Sequence, residues 1–268
     1  MSTHLVASDS FVWPEGIQAA ATVTVNFAGE SVEHSTMDLP LWGRNAHGRY
    51  GAQQGVYNLL ELFARYGIKA TFFIGGWDAE RYPEAMAAID EAGHEIASQG
   101  YLHEDFSRIS LDEQRTALER SEAAHLNVFG HKPVGFRAPD RLMSRQTRAL
   151  LAERGYRYDA SYCDDDQPYA VEVDGRRLAE LPIHEPWIDK PYYEKHRVAR
   201  VVTGSFLDEF DATYAIGGLF SLAIHPRGDY GSGRGARIRA LEPVLRSFQD
   251  HPRLWVATCG ELADWVLQ

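Results

Sequence analysis

Short β-branched apolar runs alternate with helical periods from one end of this chain to the other, and glycine punctuates most of the junctions. Residues 20–27 (AATVTVNF) read as a strand. Residues 55–66 carry Val56, Leu59, Leu60, Leu62 and Phe63 on one helical side, with Gly67 placed to end the helix. The pattern then repeats: strand 69–74, helix 82–92, strand 94–98, helix Leu111–Phe129, strand 134–138, helix 144–154 and strand 156–162. Strand 178–183, helix 204–214, strand Leu219–Ile224, helix 236–249, strand 254–258 and a short helix over 261–267 complete it. Ser110 with Glu113 forms a capping box for the longest helix. Strands that alternate with helices in this way build a parallel sheet. Seven or eight of them in 268 residues favour a closed (β/α) barrel over an open doubly wound sheet. Neither GxGxxG nor GxxxxGK[ST] occurs, there is no internal repeat or linker, and one domain spanning 1–268 is expected.

Charge narrows the class of partner. Lys and Arg number 27 against 38 Asp and Glu, a net charge of −11, which argues against nucleic acid, whose phosphates require a basic stripe. Two cysteines, Cys163 and Cys259, make no disulfide framework and no metal-binding CxxC, and read as unpaired thiols. The first residues, MSTHLVASDSFVWPEG, lack a basic n-region and an apolar h-region, and no apolar run approaches the length of a membrane span. The expectation is a cytoplasmic protein with a small-molecule substrate and no membrane partner.

In a (β/α) barrel the chemistry lies at the C-terminal ends of the strands. That rule selects Asn26, Glu30 and His34 after the first strand, and Gln99, His103, Glu104 and Asp105 after the third. It selects Arg137 and Asp140 after the fourth, Asp159 after the fifth, His184, Glu185 and Asp189 after the sixth, and His225 with Arg227 after the seventh. The polar stretch 29–54, long for a connection, reads as a loop over the barrel mouth. His94 reads as a buried structural histidine and Asp164 to Asp166 as a solvated charge run.

Six strings in order, GIKATFFIGGW, AGHEIASQGYLHED, GFRAPDRLMSRQT, YRYDASYCDDDQPY, ELPIHEPWID and LAIHP, resemble the NodB-homology polysaccharide deacetylase family. The resemblance covers about residues 20–265. It implies a deformed (β/α) barrel of seven or eight strands and a hydrolase of non-peptide carbon–nitrogen bonds. Typical members remove acetyl groups from N-acetylglucosamine polymers. An Asp and two His hold a metal, a second Asp serves as base, an Arg orients it, and a His protonates the leaving amine.

The chain departs from that pattern at the first two motifs. In place of TFDDG or FDxDxES stands VNFAGES: Asn26 takes the base position and Ala28 the metal position of the second form, with Glu30 and Ser31 matching. In place of HxxxH stands Gln99 to His103, so only His103 survives as a ligand. A lone imidazole with an amide cannot hold Zn²⁺ tightly, and no metal cofactor is expected. Arg137 in RAPD and His225 in LAIHP match the family's orienting arginine and general acid.

Three readings follow. The first is a metal-independent hydrolase of a small cyclic amide or imide, akin to the allantoinase-like branch, with His225, Arg137, Glu30 and His103 catalytic. Asn26, Gln99, Asp140 and Trp187 would then contact substrate. The second is a non-catalytic descendant that binds a sugar or small amide. The third is an N-deacetylase with a rebuilt zinc site using His103 with His225, His184 or Glu30. The FDxDxE branch tends to assemble, which leaves a homo-oligomer open.

Overall fold

The computed structural model describes residues 11–37 and 42–268. Strand β1 (Ala19–Asn26) is buried along its whole length, as expected where helices cover one face of a sheet and a filled interior covers the other. After it come helices α1 (Ser31–Met37) and α2 (His47–Tyr50), a π-helical turn over Gly51–Gly55, and α3 (Val56–Tyr66), ended by left-handed Gly67. Then follow β2 (Thr71–Ile74), α4 (Gly76–Arg81), α5 (Pro83–Glu91), β3 (Glu95–Ser98) and α6 (Leu111–Phe129), whose Ser110–Glu113 capping box is formed. The middle holds β4 (Gly135–Phe136), α7 (Arg145–Arg154), β5 (Tyr158–Asp159), β6 (Tyr169–Val173) and β7 (Arg176–Glu180). The chain closes with α8 (Asp189–Glu194), α9 (Ala199–Ile216), β8 (Leu219–Ile224), α10 (Gly235–Gln249), β9 (Leu254–Val256) and α11 (Cys259–Val266).

The strands run in the order β6-β7-β5-β4-β3-β2-β1-β8, with every pairing parallel except β6 with β7. β9 lies beside the lower part of β1, with Ala19 opposite Leu254, while β2 pairs with its upper part, with Thr24 opposite Thr71. The sheet curls into a deformed barrel. Its seam lies between the end strands β6 and β8, where one bridge, Ile188 to Ala223, and the Leu219 amide bonded to the Asp166 carbonyl (2.8 Å) draw the walls together. The largest core packs α3, α5, α9 and α10 against the outer face, with Phe63, Phe72, Phe206, Phe210 and Phe220 fully buried. No helix among the described residues is long and apolar enough to cross a membrane.

Several elements differ from the sequence-based expectation. The stretch 29–54 is no plain loop: α1, a 3-10 turn over Gly43–Asn45, α2 and the π-helical turn occupy its described part, while 38–41 lie outside the described residues. The strand expected at 178–183 is the second arm of an antiparallel hairpin, so not every strand is followed by a helix. The hairpin turns at Asp174 (φ 49°) and Gly175 (φ 77°), the two positive φ values of a type I′ turn. The strand expected over 156–162 pairs only at Tyr158 and Asp159, helix α9 is longer at both ends than expected, and α4 and α8 were not expected. His94 is buried against Phe63 and Phe72, and its Nδ1 accepts from the Ala70 amide (3.1 Å). Cys163 and Cys259 are unpaired.

Candidate active site

The C-terminal ends of the strands meet around a cavity of about 210 Å³. Asn26 is the last residue of β1, and Gln99, Arg137 and His225 each follow directly on β3, β4 and β8. All four line the cavity together with His103 and Asp140, so six of the eight residues singled out in the sequence come together.

The best-ordered part of the site is built on His225. Its Nδ1 lies 2.6 Å from Asp189 Oδ1, and its own backbone amide donates to Asp189 Oδ2 (3.0 Å), which also accepts from the Ser232 hydroxyl (2.7 Å). Asp189 is fully buried, so its carboxylate is fixed by these bonds. A carboxylate on Nδ1 sets the neutral imidazole in the tautomer whose Nε2 carries a lone pair. That nitrogen faces Asn26, 3.4 Å from Nδ2. The Tyr230 ring closes the side, edge-on at 5.3 Å. His225 can therefore take a proton at Nε2, keep it as an imidazolium against Asp189, and pass it on.

Arg137, 1% exposed, forms the floor. Its Nε donates to the Ala160 carbonyl (2.8 Å), and its Nη1 donates to the Thr24 hydroxyl (2.8 Å) and to Asn26 Oδ1 (3.2 Å). The guanidinium lies over the Phe73 ring at 4.1 Å. Burial lowers its pKa to about 10, which still leaves a cation at neutral pH.

The opposite wall is strained. His103 (φ 58°), Asp140 (φ 47°) and Arg141 (φ 61°) all adopt left-handed conformations that non-glycine residues rarely take. Ion pairs hold this wall to the segment carrying Asp189: Asp140 to Lys190 at 2.6 Å and Arg141 to Glu185 at 3.0 Å. His103 Nε2 stands 3.6 Å from Asp140 Oδ2, beyond hydrogen-bonding reach. The imidazole first and then Lys190 hold the Asp140 carboxyl well below the usual carboxylate range.

Two expected site residues are not in the cavity. Glu30 is fully buried behind it, receiving Arg49 Nη2 (2.7 Å) and the Tyr82 hydroxyl (2.5 Å) and approached by Arg81 (3.7 Å). A carboxylate so occupied anchors α2 and is not placed to serve as the base. Trp187 is 3% exposed, packed on Phe220 and edge-on to His184, with its indole donating to Glu209 (3.3 Å). It belongs to the core. Conversely, the sequence reading placed Asp189, Lys190 and Tyr230 no further than a strand-end loop or missed them. Nothing in the spacing reveals that Asp189 reaches a histidine 36 residues on.

The residues present do not fit the family's metal. Ala28 offers a methyl group, Gln99 an amide and His103 a single imidazole turned toward Asp140. Among the described residues no three His, Cys, Asp or Glu side chains gather to hold an ion. The rebuilt zinc site is not assembled either: His184 Nε2 is taken by the Asp165 carbonyl (3.0 Å), Glu30 by Arg49 and Tyr82, and His225 by Asp189.

Relatives share both the sequence and this fold. The family model described as polysaccharide deacetylase matches residues 49–158. A peptidoglycan deacetylase of Helicobacter pylori is 33% identical over 262 residues, covering 83% of this chain and 87% of its own length. A crystal structure from Mycobacterium smegmatis, assigned to the polysaccharide deacetylases, superposes with a TM-score of 0.89 at 32% identity, covering 96% of this chain and 93% of that one. The crystal structure of the Puue allantoinase superposes with a TM-score of 0.80 at 25% identity over 94% and 91% of the two chains. The chain belongs to the NodB-homology polysaccharide deacetylase family.

Proposed function

We propose that this protein hydrolyses a small amide, most readily a cyclic amide or imide, by acid–base chemistry at His225 with no metal step. The observation that carries the reading is the buried Asp189–His225 pair, 2.6 Å apart, with Nε2 left at the cavity beside Asn26. Nε2 takes a proton from water as the water oxygen attacks the carbonyl carbon. Asp189 stabilises the imidazolium that results. The same proton then passes to the departing ring nitrogen as the carbon–nitrogen bond breaks, leaving on one opened chain a carboxylate and either an amine, from a cyclic amide, or a carboxamide, from an imide. The Gln99 amide, at the cavity wall, is the donor for the oxyanion. Arg137 positions Asn26 through Nη1, and Asn26 in turn directs the Nε2 edge. A cavity of about 210 Å³ suits a single small ring and not a glycan strand. The likeness to an allantoinase supports a non-sugar amide.

The test is a turnover screen of hydantoins, allantoin, cyclic imides and N-acetylglucosamine oligomers with chelator present throughout. Ring opening of at least one cyclic amide is expected, falling about 10²- to 10⁴-fold in both His225→Ala and Asp189→Asn. Binding of a ring amide without turnover would replace the reading with that of a non-catalytic binding protein. Turnover of the oligomers alone, abolished by chelator, would overturn it.

A further inference from the structure

Most charges at the cavity are matched in pairs. Lys190 meets Asp140, Arg141 meets Glu185, and His225 meets Asp189. Arg137 meets only a carbonyl, a hydroxyl and an amide. On the neighbouring strand β5, Asp159 accepts from the Ser161 hydroxyl (2.5 Å) and acts on Arg137 only through space, with no hydrogen bond between them. One guanidinium nitrogen, Nη2, is buried and hydrogen-bonded to nothing among the described residues. His103 Nε2 across the cavity also lacks a hydrogen bond, but it stands 3.6 Å from the Asp140 carboxylate. A buried cation with no carboxylate in hydrogen-bonding reach and with an idle donor is costly unless something supplies the missing partner. Arg137 lines the cavity of the site.

We infer that Arg137 is an anion-binding group, and that the natural ligand of this cavity carries a carboxylate, or a group of equal charge and shape, that is seated on Nη2. The inference deepens the hydrolase reading and rests on it for the reacting part of the ligand: a ring amide at His225, a carboxylate at the floor. Charge-assisted bonds of this kind are about twice as strong as neutral ones. Recognition by Arg137 thus separates an acid from its own amide, which has the same shape.

The experiment is titration of the full chain with propionate and with propionamide at fixed ionic strength, read by calorimetry or by ligand NMR. Propionate is expected to bind about tenfold more tightly or better. The preference should persist in His225→Ala and in Arg137→Lys, and vanish in Arg137→Gln. It should also vanish in Asn26→Asp, where an isosteric carboxylate beside Nη1 supplies the missing partner from within. The last two variants test the idea independently, so a folding defect in one leaves the other. Equal binding of the two probes by the native chain, or a preference that survives both variants, overturns the inference. Absence of any turnover with the propionate preference intact removes the hydrolase reading and leaves the anion site. Rapid opening of uncharged rings with no preference does the reverse.

Discussion

Two arginines are buried within this barrel mouth, and their surroundings are opposites. Arg227 donates to Glu33 through both terminal nitrogens, to Asp229 from Nε (3.0 Å) and Nη2 (2.9 Å), and to the carbonyls of Ala28 (3.1 Å) and Gly29 (3.2 Å). Tyr230 first and then these carboxylates outweigh the cost of burial and raise its pKa above the ordinary arginine value. Arg137 has no carboxylate within hydrogen-bonding reach, and burial lowers its pKa. A cation saturated by its own chain is a rivet: Arg227 ties β8's following loop to the left-handed Ala28 and to α1. A cation left unsaturated at a cavity is available to a ligand. Arg148 is a third case, with Nε 2.7 Å from Glu180 and a second buried acid, Asp159, on the neighbouring strand. There the acids outnumber the cation.

Removing the two arginine charges breaks the comparison most sharply. Arg227→Met leaves Glu33 and Asp229 facing each other without a counter-charge and should cost about 3–5 kcal/mol in urea unfolding. Arg137→Met removes a charge with no carboxylate in hydrogen-bonding reach, and its unfolding midpoint should stay near the parent's or rise. Equal losses in the two variants would mean that Arg137 is compensated all the same.

A smaller effect is expected where the rivet meets the loop that carries His225. A Cβ on Gly55, in the π-helical turn, would stand 1.7 Å from the carbonyl oxygen of Pro226, the residue between His225 and Arg227. Gly55→Ala should therefore cost about 1–3 kcal/mol as the loop is pushed aside. It should also lower turnover, because His225 moves with Pro226. Stability lost with turnover intact would show that the imidazole is held by Asp189 alone.

The smallest effect concerns pH. Burial first of all raises the Asp159 pKa to about 6 and holds Glu180 well above the carboxylate range. A folded-state value above the unfolded one means the native chain binds more protons in that interval. The stability contributed is full below about pH 4 and is lost as pH rises through about 6. For one proton the slope is at most about 1.4 kcal/mol per pH unit. Asp159→Asn should flatten the pH dependence of unfolding between these limits. An unchanged slope would place the excess proton elsewhere.

The legible parts of the sequence were those with local chemistry. Helix α6 runs from its Ser110 cap to left-handed Gly130 as read, and β8 matches at both ends, because caps and β-branched runs act over a few residues. The hairpin at Asp174-Gly175 carried an Asp-Gly turn signal and was missed because the strand-then-helix rhythm was read straight through it. In the site, strand-end logic found Asn26, Gln99, Arg137 and His225, since their positions follow from the barrel itself. It misjudged Glu30 and Trp187 because a residue one turn beyond a strand can point to core or cavity with the same spacing. The Asp189 contact depends on how the seam folds back across the sheet, which no window of sequence contains.

The seam carries a last consequence. Ile188 makes the single bridge to Ala223, and its neighbour Asp189 holds both the backbone amide and the imidazole of His225, two residues beyond that bridge. Elsewhere the wall is knitted by ladders of amides. Here the stitch that draws the last gap together and the catch that sets the imidazole share one short thread. Whatever loosens the wall at this point also frees the His225 imidazole from its carboxylate.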